Sequence, residues 1–270
     1  MLTFTGAGVV STPTTLQVRV APDGHGLVRA HAAPGRALTD DELIANIRHL
    51  TEGQRGPRAH PCDALVLSGV PADRVGSLTA VIAAARGWGI RHVTLHTAAD
   101  VPPQPIGLDA VGVVVRGPED VARLRAWPAA RRTAVLLLDD AASFDACVGG
   151  LDGIDAVAVT WPFPPVQPLP LDQVGPCLDA VAAARGDADW VIKGLPACLV
   201  GDHAQRVRRS RNRFLVDADH QLAAARLFFP DVVRWAKIDS CRFCAHDARC
   251  DGVAREWLER GLVGKLEPVA

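Results

Sequence analysis

The stretch "CRFCAHDARC", residues 241–250, places Cys241, Cys244 and Cys250 at the spacing C-x2-C-x5-C, three of the seven cysteines in a chain of 270 residues. Thiolates packed so closely repel one another, and a cation that neutralises them is the economical explanation. No apolar periodicity around them demands small buried thiols, so a metal site is the favoured reading. Structural zinc and iron–sulfur clusters both commonly take four protein ligands, so one is missing from the stretch. Cys147 and Cys177 fall inside predicted helices and read as small core residues, while Cys62 precedes a strand far off in sequence. Cys198 differs, because it follows Pro196 just beyond a strand, in "GLPACLVGD". His246 would suit zinc, but it lies within the short span between Cys244 and Cys250. Cys198 and His246 both stay open on the residues alone.

The elements that must position these groups alternate. "LQVRVA" (16–21) reads as a strand, and 38–50 as a helix with Thr39 and Glu42 spaced as a capping box and Leu38 and Leu43 as a hydrophobic staple. Leu43, Ile44, Ile47 and Leu50 form its apolar stripe. Strands follow at 64–70, 92–97, 110–117, 133–140, 155–161 and 189–196, with helices at 78–89, 119–127, 144–151 and 172–186. Short, continuously apolar strands separated by amphipathic helices argue an α/β fold with a parallel sheet buried on both faces. Seven such strands favour a TIM-like β/α barrel, whole or partial, over 1–196, with a cysteine-rich extension over 197–270.

In such a barrel the residues closing each strand line the functional face. Here they are Ser68, His96, Arg116, Asp139, Asp140, Thr160, Trp161 and Lys193. His96, Asp139, Asp140 and Lys193 are the acid–base candidates among them, although no spacing singles out a base or a nucleophile. "AQRVRRSRNRF" adds Arg206, Arg208, Arg209, Arg211 and Arg213, a candidate anion clamp or partner surface. After it, Asp217, Asp219 and His220 read as capping and salt-bridging groups ahead of an apolar helix in "LVDADHQLAAARLFF".

Composition narrows the classes. Hydrophobic residues make up 49% and charged residues 22%, with a formal net charge of −1, which is globular and gives no global attraction to nucleic acid. The chain has no tyrosine and seven phenylalanines, a poor supply of base-stacking groups, so nucleic acid is not an expected partner. No run approaches the roughly 18 apolar residues of a membrane helix, and the start lacks a signal-peptide pattern. Seven cysteines, an odd number, do not read as a secreted disulfide framework, so a reducing cytoplasm is expected.

"IDSCRFCAHDARCDGVAREWL" followed by "GKLEP" is similar to the C-terminal region of many radical SAM proteins, the SPASM and twitch type of auxiliary-cluster domain. "RALTDDELIANIRHL", "DALVLSGVPADR" and "GIRHVTLHT" resemble the first helix, second strand and third strand of a radical SAM barrel. The resemblance implies a 4Fe-4S cluster held by Cys198, which matches by position the cysteine after the last barrel strands, together with Cys241, Cys244 and Cys250. The full SPASM pattern would place a further cysteine at Ala254, so the single-cluster, twitch-like form is the one implied. Zinc is the alternative metal.

Two features of the family are missing. The loop after the first strand, "APDGHGLVRAHAAPGRA", lacks the C-x3-C-x2-C motif that leaves one iron open to S-adenosylmethionine, and its His25 and His31 do not rebuild it. The Gly-Gly-Glu-Pro stretch that recognises the methionine amine is here Ser68-Gly69-Val70-Pro71, without the carboxylate. Cleavage of S-adenosylmethionine is therefore not expected from this chain alone. What the resemblance implies is a degenerate relative that relays electrons or holds substrate for an active radical SAM homologue, in peptide or natural-product modification. The alternative is a barrel enzyme working with the strand-end groups beside a structural metal.

Overall fold

The computed structural model describes residues 2–5, 8–11, 14–21, 36–52, 62–161, 169–228, 235–261 and 269. His25, His31, the Pro-rich loop at 162–168 and the "GKLEP" segment lie outside these residues. The polar lead-in forms an antiparallel hairpin of β1 (Leu2–Thr5) and β2 (Gly8–Ser11). There follow β3 (Thr15–Arg19), α1 (Asp40–Glu52), β4 (Ala64–Ser68), α2 (Leu78–Gly87), β5 (His92–Ala98), β6 (Ala110–Val115) and α3 (Pro118–Arg125). Next come β7 (Arg131–Leu137), α4 (Ala141–Val148), β8 (Ala156–Thr160), α5 (Leu171–Arg185) and β9 (Trp190–Lys193). The remainder holds β10 (Arg213–Val216), β11 (Arg226–Phe228), β12 (Trp235–Ala236), β13 (Val253–Ala254) and α6 (Arg255–Glu259).

The protein is thus a mixed α/β fold whose main sheet has the strand order β11-β10-β3-β4-β5-β6-β7-β8-β9. Each of the seven strands expected from the alternation is present, within a few residues of its expected span. Among the described residues no ladder closes that row into a barrel. Contacts divide the chain into two compact units, one of 1–113, 126–132 and 211–228, the other of 114–125, 133–210 and 229–270. Residue 197 falls inside the second unit.

In the first unit the start of α1 is set by its sequence. The Thr39 hydroxyl accepts from the Glu42 N–H at 3.2 Å, and the Glu42 carboxylate accepts from the Thr39 N–H at 2.8 Å, closing the capping box. Leu38 and Leu43 are both fully buried, as a staple requires. Leu43, Ile47 and Leu50 face the core, but Ile44 is half-exposed and Asn46 is buried in its stead. Asn46 is satisfied there: its amide donates to the Glu42 carbonyl at 2.7 Å and to Gln221 at 3.0 Å, and its oxygen accepts from the Leu222 N–H at 2.6 Å. Leu16, Val18, Leu65, Leu67, Val93 and Leu95 supply the fully buried face of β3, β4 and β5, each contributing about 1.5–3 kcal/mol by burial.

The apolar helix expected after His220 is not formed. Phe214–Val216 instead pairs in parallel with Leu16–Val18 of β3, and β11 returns antiparallel along β10. Between them Asp217 accepts from the Asp219 N–H, the His220 N–H and the His220 ring, a turn that reverses the chain; Asp217 and His220 pair as salt-bridging groups, but they cap no helix. Leu222–Ala224 forms only a short 3-10 turn, which Leu222 enters in a left-handed conformation with φ +51 that does not propagate as an α-helix. Pairing with an available sheet edge outweighs the local helix propensity of "LAAAR".

In the second unit β7, β8 and β9 pair in parallel, with Leu137 opposite Thr160 and Thr160 opposite Lys193. Helix α4 starts at Asp140, whose carboxylate accepts from the Ser143 N–H at 2.9 Å. Cys147 and Cys177 are buried side chains of α4 and α5, as small core residues should be. All seven cysteines are free thiols. No helix among the described residues is long and apolar enough to cross a membrane.

Candidate metal centre

The three clustered cysteines sit in the loop of a hairpin. Strand β12 pairs antiparallel with β13, Trp235 opposite Ala254 and Ala236 opposite Val253, and residues 237–252 form the excursion between them. Backbone bonds shape that excursion into short turns: Cys241 N–H to Ile238, Cys244 N–H to Cys241, Asp247 N–H to Cys244 and Cys250 N–H to His246, at 2.9–3.0 Å. Lys237 braces it by donating to the Asp247 carboxylate at 2.7 Å and its carbonyl at 2.6 Å. The hairpin closes through Gly252, which has φ +90 and lies so near the Ala236 carbonyl that a Cβ would stand 2.1 Å from the oxygen. Only glycine fits there.

Two tryptophans fasten the hairpin within the unit. Trp235, 4% exposed, covers Gly194 just past β9, where a Cβ would come within 2.9 Å of its ring. Trp257 of α6, 1% exposed, lies 6.2 Å from Trp161 at the end of β8. Buried Asp251 adds a polar anchor, accepting from the Ser210 N–H at 2.9 and 3.0 Å with the Arg209 guanidinium 4.0 Å away.

These contacts place the tail against the turn Ala197–Leu199 that follows β9 and carries Cys198. Cys198, Cys241, Cys244 and Cys250 all line one small cavity, of about 20 Å³. Lys237, Ile238 and Asp247 complete much of its wall, and His246 is not part of it. The sulfur of Cys250 accepts from the backbone N–H groups of Ala197 at 3.5 Å and Gly252 at 3.3 Å. Burial nevertheless pushes the Cys250 thiol up, against the pull of those N–H groups and of Lys237. Burial pushes Cys198 up to about 11, and the thiols of Cys250, Cys241 and Cys244 act in the same direction. Half-buried Cys198 and buried Cys250 therefore carry their protons at neutral pH unless a cation displaces them.

Among the described residues no group of three or more His, Cys, Asp or Glu side chains is arranged so that it could hold a metal ion. A tetrahedral zinc with bonds of about 2.3 Å would draw four sulfurs around one point.

The other sequence candidates are distributed differently. Asp140 is occupied as the cap of α4, and the Ser143 hydroxyl and N–H hold its carboxyl below the usual range. Asp139 pairs with Arg116 at 2.9 Å, and Lys193 is exposed at the end of β9. His96, on β5, belongs to the first unit. The arginine row is shared among separate tasks. Arg206 lies over the Trp190 ring at 5.0 Å and donates to the Gly186 carbonyl, while Arg208 donates to the carbonyls of Gln205 and Val207. Arg209 faces Asp251, Arg211 is exposed, and Arg213 donates to Gln17 at 2.7 Å. Lys237, Asp251 and Gly252 are not singled out by the sequence, although an Asp-Gly pair directly after the last cysteine is a turn signal. The chain matches no protein-family model, no curated protein and no solved structure.

Proposed function

We propose that Cys198, Cys241, Cys244 and Cys250 hold a 4Fe-4S cluster, and that the chain serves as an electron-relaying or substrate-holding partner of an active radical SAM enzyme in peptide or natural-product modification. The observation that carries the cluster is the opening of four thiols, from the turn after β9 and from the β12–β13 loop, onto one cavity. The choice of a 4Fe-4S cluster over zinc rests on the resemblance of the tail to auxiliary-cluster domains, and such clusters are held by four cysteine thiolates. When bound, such a group supplies one-electron chemistry. The chain's own contribution is to bring four thiols together, to direct the Ala197 and Gly252 N–H groups at the Cys250 sulfur, and to bury that sulfur from water. Hydrogen bonds to sulfur and limited exposure are two ways a protein sets the potential of such a site.

The partner role rests on the sequence: no cysteine precedes Cys62, so the loop after β3 lacks the three thiolates of the cluster that binds S-adenosylmethionine, and Ser68-Gly69-Val70-Pro71 lacks the carboxylate. The TIM-like barrel reading is supported by the pairing of β10 with β3, since the eighth parallel strand in sequence lies beside the first, as an eightfold β/α barrel requires. Four reduced thiols at one site fit a cytoplasmic setting.

The test is anoxic purification with iron, sulfide and zinc analysis. Brown protein absorbing broadly near about 400 nm, with about four irons per chain, is the expected result. Cys198→Ser should abolish that absorption, whereas His246→Ala should leave it. Colourless protein with one zinc per chain would overturn the cluster, and cleavage of S-adenosylmethionine by the isolated chain would overturn the partner role.

A further inference from the structure

The β12–β13 loop supports a second chemistry that needs no metal. Among the seven free thiols, Cys62, Cys147, Cys177 and Cys250 are buried, while Cys198, Cys241 and Cys244 are half-exposed. Cys241 and Cys244 belong to one turn: the Cys244 N–H donates to the Cys241 carbonyl at 3.0 Å, at the close of the 3-10 segment Asp239–Phe243. A turn closed in this way brings the Cα atoms of its first and fourth residues within about 7 Å, the limit for a disulfide without backbone movement. Both side chains line the same small cavity, so their thiols face one space instead of diverging.

The residues between them point elsewhere. Arg242 and Phe243 are exposed, the Phe243 ring by 72%, with the Arg242 guanidinium 4.7 Å from its centre. Cys250 is a poorer partner for either thiol, because it is buried and its sulfur accepts from the Ala197 and Gly252 N–H groups. Cys198 lies on a separate segment, the turn Ala197–Leu199. The pair Cys241 and Cys244 thus combines access from solvent with the shortest loop to close, and a short tether gives a high effective concentration of one thiol at the other.

We propose that Cys241 and Cys244 are a dithiol–disulfide couple that, in the metal-free chain, exchanges with low-molecular-weight disulfides. One thiol loses its proton and its sulfur attacks a sulfur of the small disulfide, forming a mixed disulfide and releasing one half, which takes up the proton. The second thiol then attacks from across the turn, closes the Cys241–Cys244 bond and expels the other half as a thiol. The chain gives up two hydrogens and two electrons, and the small disulfide is reduced to two thiols. The couple holds whether the site loads iron, zinc or neither. One consequence rests on the metal reading above: the closed bond withdraws two of the four thiols at the cavity, so oxidation and metal loading exclude each other.

The test is to treat the full chain with a chelator under anoxic conditions and equilibrate it with mixtures of reduced and oxidised glutathione. The remaining thiols are then alkylated in urea and the products mapped by mass spectrometry. Two of the seven thiols should become unavailable, joined as a Cys241–Cys244 bond that dithiothreitol reverses. Cys244→Ser should stop at a glutathione adduct on Cys241. Equilibration in urea should give less of the bond, because the turn that pairs the thiols is lost. The oxidised chain should take up no zinc until it is reduced, and zinc uptake before reduction would overturn the exclusion. Seven alkylated thiols at the oxidising end, a lasting glutathione adduct on the parent, a bond from Cys241 or Cys244 to Cys198 or Cys250, or an equal yield in urea would overturn the couple. Iron content decides the cluster and this bond decides the couple, so either can fail alone.

Discussion

The strands and helices between residues 15 and 193 and the hairpin between 235 and 261 are held together by different means. The former repeat one device: apolar side chains on alternate strand positions and helical stripes, many of them fully buried, so that stability is spread over dozens of similar contacts. The latter has strands of two residues and a helix of five, and it rests on a few points: Trp235, Trp257, Gly252 and Asp251. Loss of one contact in the first region leaves its neighbours in place. In the second, each point has no substitute.

The sharpest way to break this contrast is Gly252→Ala. The added Cβ has no space beside the Ala236 carbonyl, so the hairpin must open; a cost beyond about 4 kcal/mol is expected for the native tail. Iron per chain should collapse while far-ultraviolet circular dichroism retains most of its helical signal. Trp257→Ala removes a nearly inaccessible side chain packed by Trp161 and should cost about 3–5 kcal/mol, read as a lower urea midpoint.

Two further tests bear on the first region. Burial, aided by Asp63, pushes the Cys62 thiol up to about 12 from an ordinary value of 9.0. The unfolded thiol then ionises while the folded one keeps its proton. That contribution is fully present below about pH 9 and is lost as pH rises toward about 12. Urea midpoints should accordingly fall on going above pH 9.0, and less steeply in Cys62→Ala. Thr39→Ala should have the smallest effect, about 1 kcal/mol from the lost cap of α1, with no change in iron content.

What the sequence disclosed follows the same division. The α1 boundary was legible because Thr39 and Glu42 act on each other locally, and the strands were legible because burial imposes a periodicity on them. Asn46 was not, since its apolar-looking position is satisfied by Gln221 and Leu222, far along the chain. Strand β10 was hidden for the same reason: only an edge offered by β3 makes "RFLV" a strand. The cysteine spacing pointed to a site and the place of Cys198 just past a strand marked it as a candidate, but the tryptophan anchors that hold the hairpin by that turn are encoded by no local pattern.

The position of β10 carries a practical consequence. Cutting the chain after residue 196 would strip β3 of a neighbour and bare a row of backbone donors and acceptors, ready to recruit a strand from another molecule. The shortened protein should clump rather than persist as a tidy smaller body, so the tail is not a detachable cassette.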